Sequence, residues 1–385
     1  MIGVLADDFT GAAEIGAIGC RYGLKAEVQT TFRRTQDADL VVLDTHTRSS
    51  TRAQAVERVG REMDGLRRGG VDWIYKKVDS VLRGHVLAEV ASALDRSGLR
   101  RALLVPANPS FGQVIREGRY RIDGHPLNET RFAHDPEHPA RTDDVLELLG
   151  PVNGVELAYR EDTRSLPATG IVVTAVGARS DLAELARLLD TETLPAGAAE
   201  FFGAALERRL GRNGNEAWKE GEPRPQRALF VLGSRSEHGR DLLARAQADR
   251  ARTVLLTPEP GAGTVETWVD AALEGLRERE VVVLAVDRDG VDPSLPSPVH
   301  RLPRRLAGVT EAVLRRWPGD DLHLFIEGGT TASTIVRRLG WERLRVTGEL
   351  GNGVVTLAVA GEGDRRVTVK PGNYPWPKTI RRWFE

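Results

Sequence analysis

Val4-Leu5-Ala6-Asp7-Asp8-Phe9-Thr10-Gly11-Ala12 places two carboxylates where an apolar run gives way to Thr-Gly. In open α/β sheets, ligands bind outside the carboxyl ends of the strands. A carboxylate there can accept hydroxyl protons from a polyol, act as a base or hold a divalent cation. The plainer alternative makes Asp8 or Thr10 a helix cap. Asp44-Thr45-His46-Thr47-Arg48-Ser49 follows a second apolar run, and Arg48 offers the planar fork that suits a carboxylate. His46 reads better as part of a solvated loop. The densest polar cluster is Lys76-Lys77-Val78-Asp79-Ser80-Val81-Leu82-Arg83-Gly84-His85. It holds two of the chain's six lysines, the other 48 basic residues being arginine. A cation pair, a carboxylate and a glycine after a strand suggest a site for anions and hydroxyls. A charged surface turn explains the lysine choice poorly, because lysine is a compact point charge and arginine a fork.

A long polar stretch, Asn108–Thr142, follows Pro106-Ala107 and opens on Asn108-Pro109-Ser110-Phe111-Gly112. Its aromatic residues favour an ordered rim. His125, His134 and His138 lack the tight spacing of a zinc site. In the second half, Gly233-Ser234-Arg235-Ser236 and Glu327-Gly328-Gly329-Thr330-Thr331-Ala332-Ser333 each join a strand to a helix. Backbone N–H groups and hydroxyls at a helix N-terminus cradle phosphates. Neither segment has the spacing of a Walker P-loop. Lys370-Pro371-Gly372-Asn373 adds a lysine and a glycine that permits close approach.

The elements that must position these groups alternate. Short apolar runs at Ile2–Leu5, Leu40–Leu43, Trp73–Tyr75, Ala102–Val105 and Ile171–Val173 read as strands. Helical spacing begins near Gly11 and recurs over Thr51–Arg67, over Val86–Leu94 and after Ser180. The alternation restarts with strands at Ala228–Leu232, Val281–Val286 and Leu322–Ile326 and helices at Gly239–Ala248 and Leu302–Arg316. Val354–Ala358 and Arg366–Val369 close the chain as strands. The expected class is α/β: two domains, each a mainly parallel sheet flanked by helices, with a cleft between them. The 385-residue length also favours two domains. The expected bounds are 1–210, a Gly- and Pro-containing linker at 211–226, and 227–385.

Composition narrows the function classes. A net charge of -1 gives no broad bias toward nucleic acid or an anionic membrane. The single cysteine, Cys20, permits no intramolecular disulfide and sits in an apolar pattern. Met1–Gly11 does not read as a signal peptide, and Val281–Val286 is too short to span a bilayer. A soluble cytoplasmic protein is the expectation.

ADDFTGA at 6–12, DTHTRS at 44–49, KKVDSVLRG at 76–84, PANPSFGQ at 106–113, EGRYRIDGHPLNET at 117–130, GSRS at 233–236, EGGTTAS at 327–333 and KPGN at 370–373 occur in this order. Together they make the chain resemble the four-carbon acid sugar kinase family of threonate, erythronate and 3-oxo-tetronate kinases. The resemblance spans nearly the whole chain. It implies an N-terminal sugar-acid-binding domain, a C-terminal nucleotide-binding domain, and ATP-dependent phosphorylation of the terminal hydroxyl of a tetronate or its oxo form, with Mg2+. By the same resemblance Asp7, Asp8, Arg48, Lys77, Asp79 and Arg83 match sugar-side motifs, and Ser234, Gly328, Gly329, Thr330, Thr331 and Gly372 match the ATP side.

The expected catalytic set is Asp7, Asp79 and Lys77, with Asp8, Arg48, Lys76, Ser80, Arg83 and Asn108 as substrate contacts. Ser236 and Lys370 join the nucleotide side, where Lys370 could touch the transferring phosphate. The base stays open among Asp7, Asp8 and Asp79, the partner of the substrate carboxylate stays open between Arg48 and Arg83, and no metal ligand is assigned. The family's usual DSTLRGN has Val81 for Thr and His85 for Asn here, which bears on substrate identity. Its terminal motif, which usually runs on to Phe-Gly, has Tyr374-Pro375. Partners would be the sugar acid and ATP, and a homodimer is compatible with this reading. A non-catalytic sugar-acid sensor on the same scaffold is the alternative. A dinucleotide-dependent oxidoreductase is disfavoured, because Asp7-Asp8 occupies the turn where G-x-G-x-x-G would stand.

Overall fold

The apolar runs become strands buried on both faces. Every residue of β1 (Ile2–Ala6) and β3 (Leu40–Asp44) is buried, as expected of a parallel sheet covered by helices. The computed structural model describes residues 1–385 except 136, 163, 216–217, 219–224, 234–235, 249–252, 257–263, 287–300, 320 and 385. The chain divides into two compact units, Met1–Glu216 and Ala217–Glu385.

The first unit continues with α1 (Phe9–Arg21), β2 (Ala26–Gln29), α2 (Arg52–Arg68), β4 (Trp73–Lys77), α3 (Val86–Ser97) and β5 (Arg101–Val105). The polar stretch after β5 is more than a loop. It contains β6 (Gln113–Arg116), β7 (Arg119–Ile122) and β8 (His125–Pro126), paired antiparallel in a small separate sheet. Then follow α4 (Val145–Leu149), β9 (Leu157–Arg160), β10 (Gly170–Thr174), α5 (Arg179–Arg187), β11 (Thr193–Gly197) and α6 (Ala199–Leu210).

The main sheet runs β2-β3-β1-β4-β11-β5-β10-β9, with every neighbouring pair parallel. From β1 the chain steps out to β2, returns to β3 beside β1, and then crosses to the other side for β4. The order therefore reverses beside β1, the kind of switch point where such sheets bind ligands. Ala6 lies level with Asp44 on one side and Lys77 on the other. Three polar turns thus leave the sheet at one height. α1 starts there because the Asp8 side chain accepts from the Gly11 N–H at 2.9 Å.

The second unit comprises β12 (Arg227–Leu232), α7 (Glu237–Ala248), β13 (Thr253–Leu256), α8 (Val265–Glu278), β14 (Val281–Val286), α9 (Arg301–Arg316), β15 (Leu322–Glu327), α10 (Gly329–Arg338), β16 (Arg343–Gly351), β17 (Val354–Val359), β18 (Arg366–Lys370) and α11 (Lys378–Arg381). Its strand order is β13-β14-β12-β15-β18-β17-β16. The first five strands are parallel, and β17 is antiparallel to both neighbours. This order also reverses once, between β12 and β15. The core beneath is aromatic: Phe230 stacks on Phe325 at 4.5 Å between centroids, and Trp376 meets Phe230 edge-on at 5.4 Å.

The start of the segment read as a linker packs on the first unit. Asn215 donates its N–H to the Arg21 carbonyl at 2.7 Å, and Arg212 reaches the Tyr22 carbonyl at 2.6 Å. Residues 216–217 and 219–224 of that segment lie outside the described residues. Among the described residues no helix is long and apolar enough to cross a membrane.

Candidate active site

Arg48 stands at the centre of a cluster at the ends of β3, β1 and β4. Its Nε and Nη2 grip Asp7 at 2.7 and 3.0 Å, its Nη1 reaches Asp8 Oδ2 at 3.0 Å, and Nη2 lies 3.4 Å from Asp79 Oδ1. The loop that carries it hangs on β1, since the Thr47 and Arg48 N–H groups both donate to the Asp7 carbonyl. His46, at φ 50°, makes the bend that turns this loop over the strand ends.

Asp79 organises the next turn. Its Oδ2 accepts from the Val81 N–H, the Arg83 N–H and Arg83 Nε, while Arg83 Nη2 donates to Oδ1 at 2.8 Å. The turn is tight, with Leu82 at φ 63° and Gly84 at φ 87°. A Cβ on Gly84 would lie 3.4 Å from Arg48 Cγ, so the glycine lets the two loops touch. Arg83 extends the cluster to Asp135 at 3.2 Å and lies over the Phe132 ring at 5.6 Å.

Spacing gives no signal for Phe132, Asp135, Glu137 and His138, because they reach the site only through tertiary packing. His138 Nε2 meets the Arg48 carbonyl at 2.8 Å, and Glu137 accepts from Ser49 Oγ at 2.5 Å. His85, one of the departures from the family pattern, meets the Ser50 carbonyl at 2.7 Å. Both imidazoles brace the Arg48 loop, and a carbonyl acceptor requires that each carry its proton on Nε2.

The electrostatics sort the carboxylates. Burial favours the neutral acid of Asp7, but the Arg48 charge and hydrogen bonds, with Lys76 and Lys77, outweigh it and hold the carboxyl below its ordinary value. The same contest leaves Asp79 well below the carboxylate range, through Arg83 first and Arg48 second. Burial opposes the charged guanidinium of Arg48, yet Asp7, Asp8 and Asp79 together raise it well above its usual value. Occupancy separates the three further. Asp79 receives donors from Val81, Arg83 and Arg48 on both oxygens. Asp8 is bound by Gly11, Thr10 and Arg48. Among the described residues Asp7 is held by the Arg48 fork alone, so it keeps lone pairs for another donor.

The two lysines part ways. Lys77 is buried, donates to the Val78 carbonyl at 2.8 Å and lies 3.5 Å from where a Gly11 Cβ would stand. Lys76 has no exposure and points into the opposite layer, where it pairs with Glu89 at 2.9 Å and donates to the Lys77 carbonyl at 2.6 Å. That placement makes Lys76 a staple between β4 and α3 rather than the substrate contact read from sequence. Ser80 offers its carbonyl to Tyr120 OH at 2.5 Å. Asn108 is buried, accepts from the Glu200 N–H at 3.1 Å and shapes the turn after β5; no described contact joins it to the Arg48 cluster.

In the second unit, the turns after β12, β15 and β18 come together. Gly233 lies against Thr331, and a Cβ there would come within 2.0 Å of Thr331 Oγ1. Gly328, at φ 98°, turns β15 into α10, and its N–H bonds the Lys370 carbonyl at 2.9 Å. The N–H groups of Gly329, Thr330 and Thr331 have no acceptor among the described residues, as the first turn of a helix requires. Thr330 and Thr331 add hydroxyls, and this donor set suits phosphate oxygens. Ser236 Oγ caps α7 through the Gly239 N–H at 3.0 Å and donates to Glu327 at 3.0 Å. Ser234 lies outside the described residues.

Lys370 is tied into the loop that follows it. Its Nζ is bound by the carbonyls of Pro371 at 2.9 Å and Tyr374 at 2.6 Å, lies 3.5 Å from that of Gly372, and pairs with Glu327 at 3.2 Å. Glu327 Oε1 accepts from Ser236 and Oε2 from Trp376 and Lys370. Among the described residues no cluster of three or more metal-binding side chains occurs.

The model of a sugar-binding N-terminal domain matches residues 2–205, and that of a nucleotide-binding C-terminal domain matches residues 229–374. The chain belongs to the four-carbon acid sugar kinase family. The sugar-binding match contains the Arg48 cluster; the nucleotide-binding match contains the Gly233 and Gly328 turns. Similar members include the D-threonate kinase of Salmonella typhimurium, 27% identical over 90% of this chain and 88% of that one. The 3-oxo-tetronate kinase of Methylobacterium radiotolerans is 26% identical over 97% and 96%. The D-erythronate kinase of Heliobacterium modesticaldum is 24% identical over 93% and 89%. Two solved structures share the fold: a Salmonella typhimurium protein described as a tRNA synthase (TM-score 0.75, 17% identity, 99% and 98% of the chains) and a Haemophilus influenzae protein (TM-score 0.68, 18% identity, the same coverage).

Proposed function

We propose that this kinase uses ATP to phosphorylate the terminal hydroxyl of a four-carbon sugar acid, with threonate, erythronate and 3-oxo-tetronate as the candidates. The observation that carries the reading is the ionised Asp7 carboxylate, held among the described residues by Arg48 alone, at the switch point of the sugar-binding unit. Substrate hydroxyls donate to this carboxylate and to its neighbours. Asp7 is the best placed of the three aspartates to take the proton of the attacking hydroxyl, since Asp8 caps a helix and Asp79 is saturated. A low carboxylate pKa suits this role if proton transfer is late, as in a loose phosphoryl-transfer transition state.

The carboxylate of the sugar acid falls to the outer edge of Arg83, in competition with Asp135, because the Arg48 fork is already committed to Asp7. Lys77 offers a buried cation with donors to spare at the first turn of α1. On the nucleotide side, the free N–H groups of Gly329, Thr330 and Thr331 and the Gly233 turn would hold ATP, which supplies the phosphoryl group. A non-catalytic sensor would have no use for the nucleotide-binding match.

The test is an ATP-consumption screen over the threonate and erythronate epimers and their 3-oxo forms, with and without Mg2+. At least one acid should stimulate turnover. If the protein binds ATP yet none of these acids raises consumption above background, the substrate class is wrong.

A further inference from the structure

Glu327 has no solvent exposure, yet it touches all three turns on the nucleotide side. Its Oε1 accepts from Ser236 Oγ after β12 at 3.0 Å, and its Oε2 accepts from Trp376 Nε1 at 2.9 Å and pairs with Lys370 Nζ at 3.2 Å after β18. Glu327 itself ends β15, one residue before the Gly328 bend. α7 can come this close only because residue 239 is glycine: a Cβ there would lie 2.3 Å from Glu327 Oε1.

We infer that Glu327 is a positioning residue that sets the spacing of the nucleotide-binding turns, with Lys370 as its counter-ion and as the organiser of the 371–374 loop rather than a phosphate ligand. This rests on the reading of the second unit as the ATP site. The proton count of Lys370 carries the second half of the inference. An ammonium has three donors, and Glu327, Pro371 and Tyr374 engage them, with Gly372 at the margin. Lys370 could reach a phosphate only by releasing the loop it shapes. Glu327 cannot be left unpaired at zero exposure, because a buried charge without its partner is strongly unfavourable. The carboxylate and the ammonium therefore hold each other, and through each other the turns.

Positioning and contact with the transferring γ-phosphate differ in one readout. A positioning pair acts on ADP and ATP alike; a ligand of the γ-phosphate acts on ATP only. Full-length wild type, Glu327→Gln and Lys370→Met would be titrated calorimetrically with ADP and with a non-hydrolysable ATP analogue, and the KM for the sugar acid measured beside them. Both variants should weaken the two nucleotides by the same factor, roughly tenfold or more, with the sugar-acid KM little changed. Ser236→Ala and Trp376→Phe each remove one donor to Glu327, so they should give smaller losses of the same kind even if the first two variants fold poorly. Loss of ATP affinity in Lys370→Met with ADP affinity intact would overturn the assignment, as would wild-type affinities in all four variants. A wild-type protein that binds neither nucleotide would instead remove the ATP reading itself.

Discussion

At the scale of single residues, three aspartates that look alike in sequence are predicted to behave differently. Asp7→Asn removes the carboxylate with free lone pairs, so kcat should fall by about 10²–10⁴-fold, together with some loss of stability because its buried pair with Arg48 is broken. Asp79→Asn strips the counter-charge from Arg83 and Arg48, and unfolding should be easier by about 3 kcal/mol, measurable by urea denaturation. Near-wild-type kcat in Asp7→Asn would refute this division. Acid behaviour follows the same sites. Asp7 and Asp79 lie below their unfolded value, about 3.9, so their stabilisation is present above that pH and lost as pH falls below it toward the lower folded values. No acid limb from Asp7 should therefore appear near neutrality in the pH profile of kcat/KM. His323 behaves in the same direction over a higher window. Burial, with Arg366, lowers it to about 3, and its neutral ring meets Thr368 Oγ1 at 2.8 Å. Its unfolded state binds a proton below about 6.5 and the folded state does not. Stability should fall from pH 6.5 downward, and His323→Gln should flatten that slope in thermal melts. At this scale the sequence picked out segments that the fold gathers at one end of the β1, β3 and β4 strands, but not how each side chain is held there. Lys76 and Lys77 must face opposite sides of a strand, yet both sides of β4 are buried, so alternation alone cannot say which lysine faces the ligand end.

At the scale of elements, glycines at the turns carry the sharpest expectation. In Gly233→Ala the new methyl would meet the stiff, β-branched Thr331 within 2.0 Å. The first nucleotide turn must shift, and the KM for ATP should rise while that for the sugar acid holds. An unchanged KM for ATP would show that this contact is not part of the nucleotide site. The strands with Val-, Ile- and Leu-rich runs were legible from their apolar pattern, and so were the helices with clear amphipathic spacing. β11, Thr-Leu-Pro-Ala-Gly, was not. Its proline and glycine are poor strand formers, and it is a strand because β4 and β5 pair with it on both sides. The small sheet β6–β8 escaped for a similar reason: its exposed polar positions hide the alternation. Pairing between distant segments, rather than local preference, made these elements.

At the scale of the whole molecule, the chain in each unit crosses once from one side of its first strand to the other, and the segments around Asp7, Arg48 and Asp79, and around Gly233 and Gly328, flank those crossings. This is why the segments were recognisable in sequence: the turns at such points must carry glycines, hydroxyls and charges, whereas the helices behind them need only an apolar face. The segment around Asp135 was not, since its tie to Arg83 spans 52 residues of chain. One feature of this winding bears on how the protein is made. β11 enters the middle of the sheet, between β4 and β5, from more than a hundred residues after β4, and the Val78 N–H beside Asp79 bonds the Gly197 carbonyl. A ribosome must therefore release residue 197 before the turn that carries Asp79 can take its final form. Until then the nascent chain presents β4 and β5 with open edges, a condition that invites chaperone binding. A chain stopped at residue 190 should emerge insoluble or chaperone-bound, and one stopped at 215 should emerge soluble; equal solubility of the two would show that the turn does not wait for its last strand.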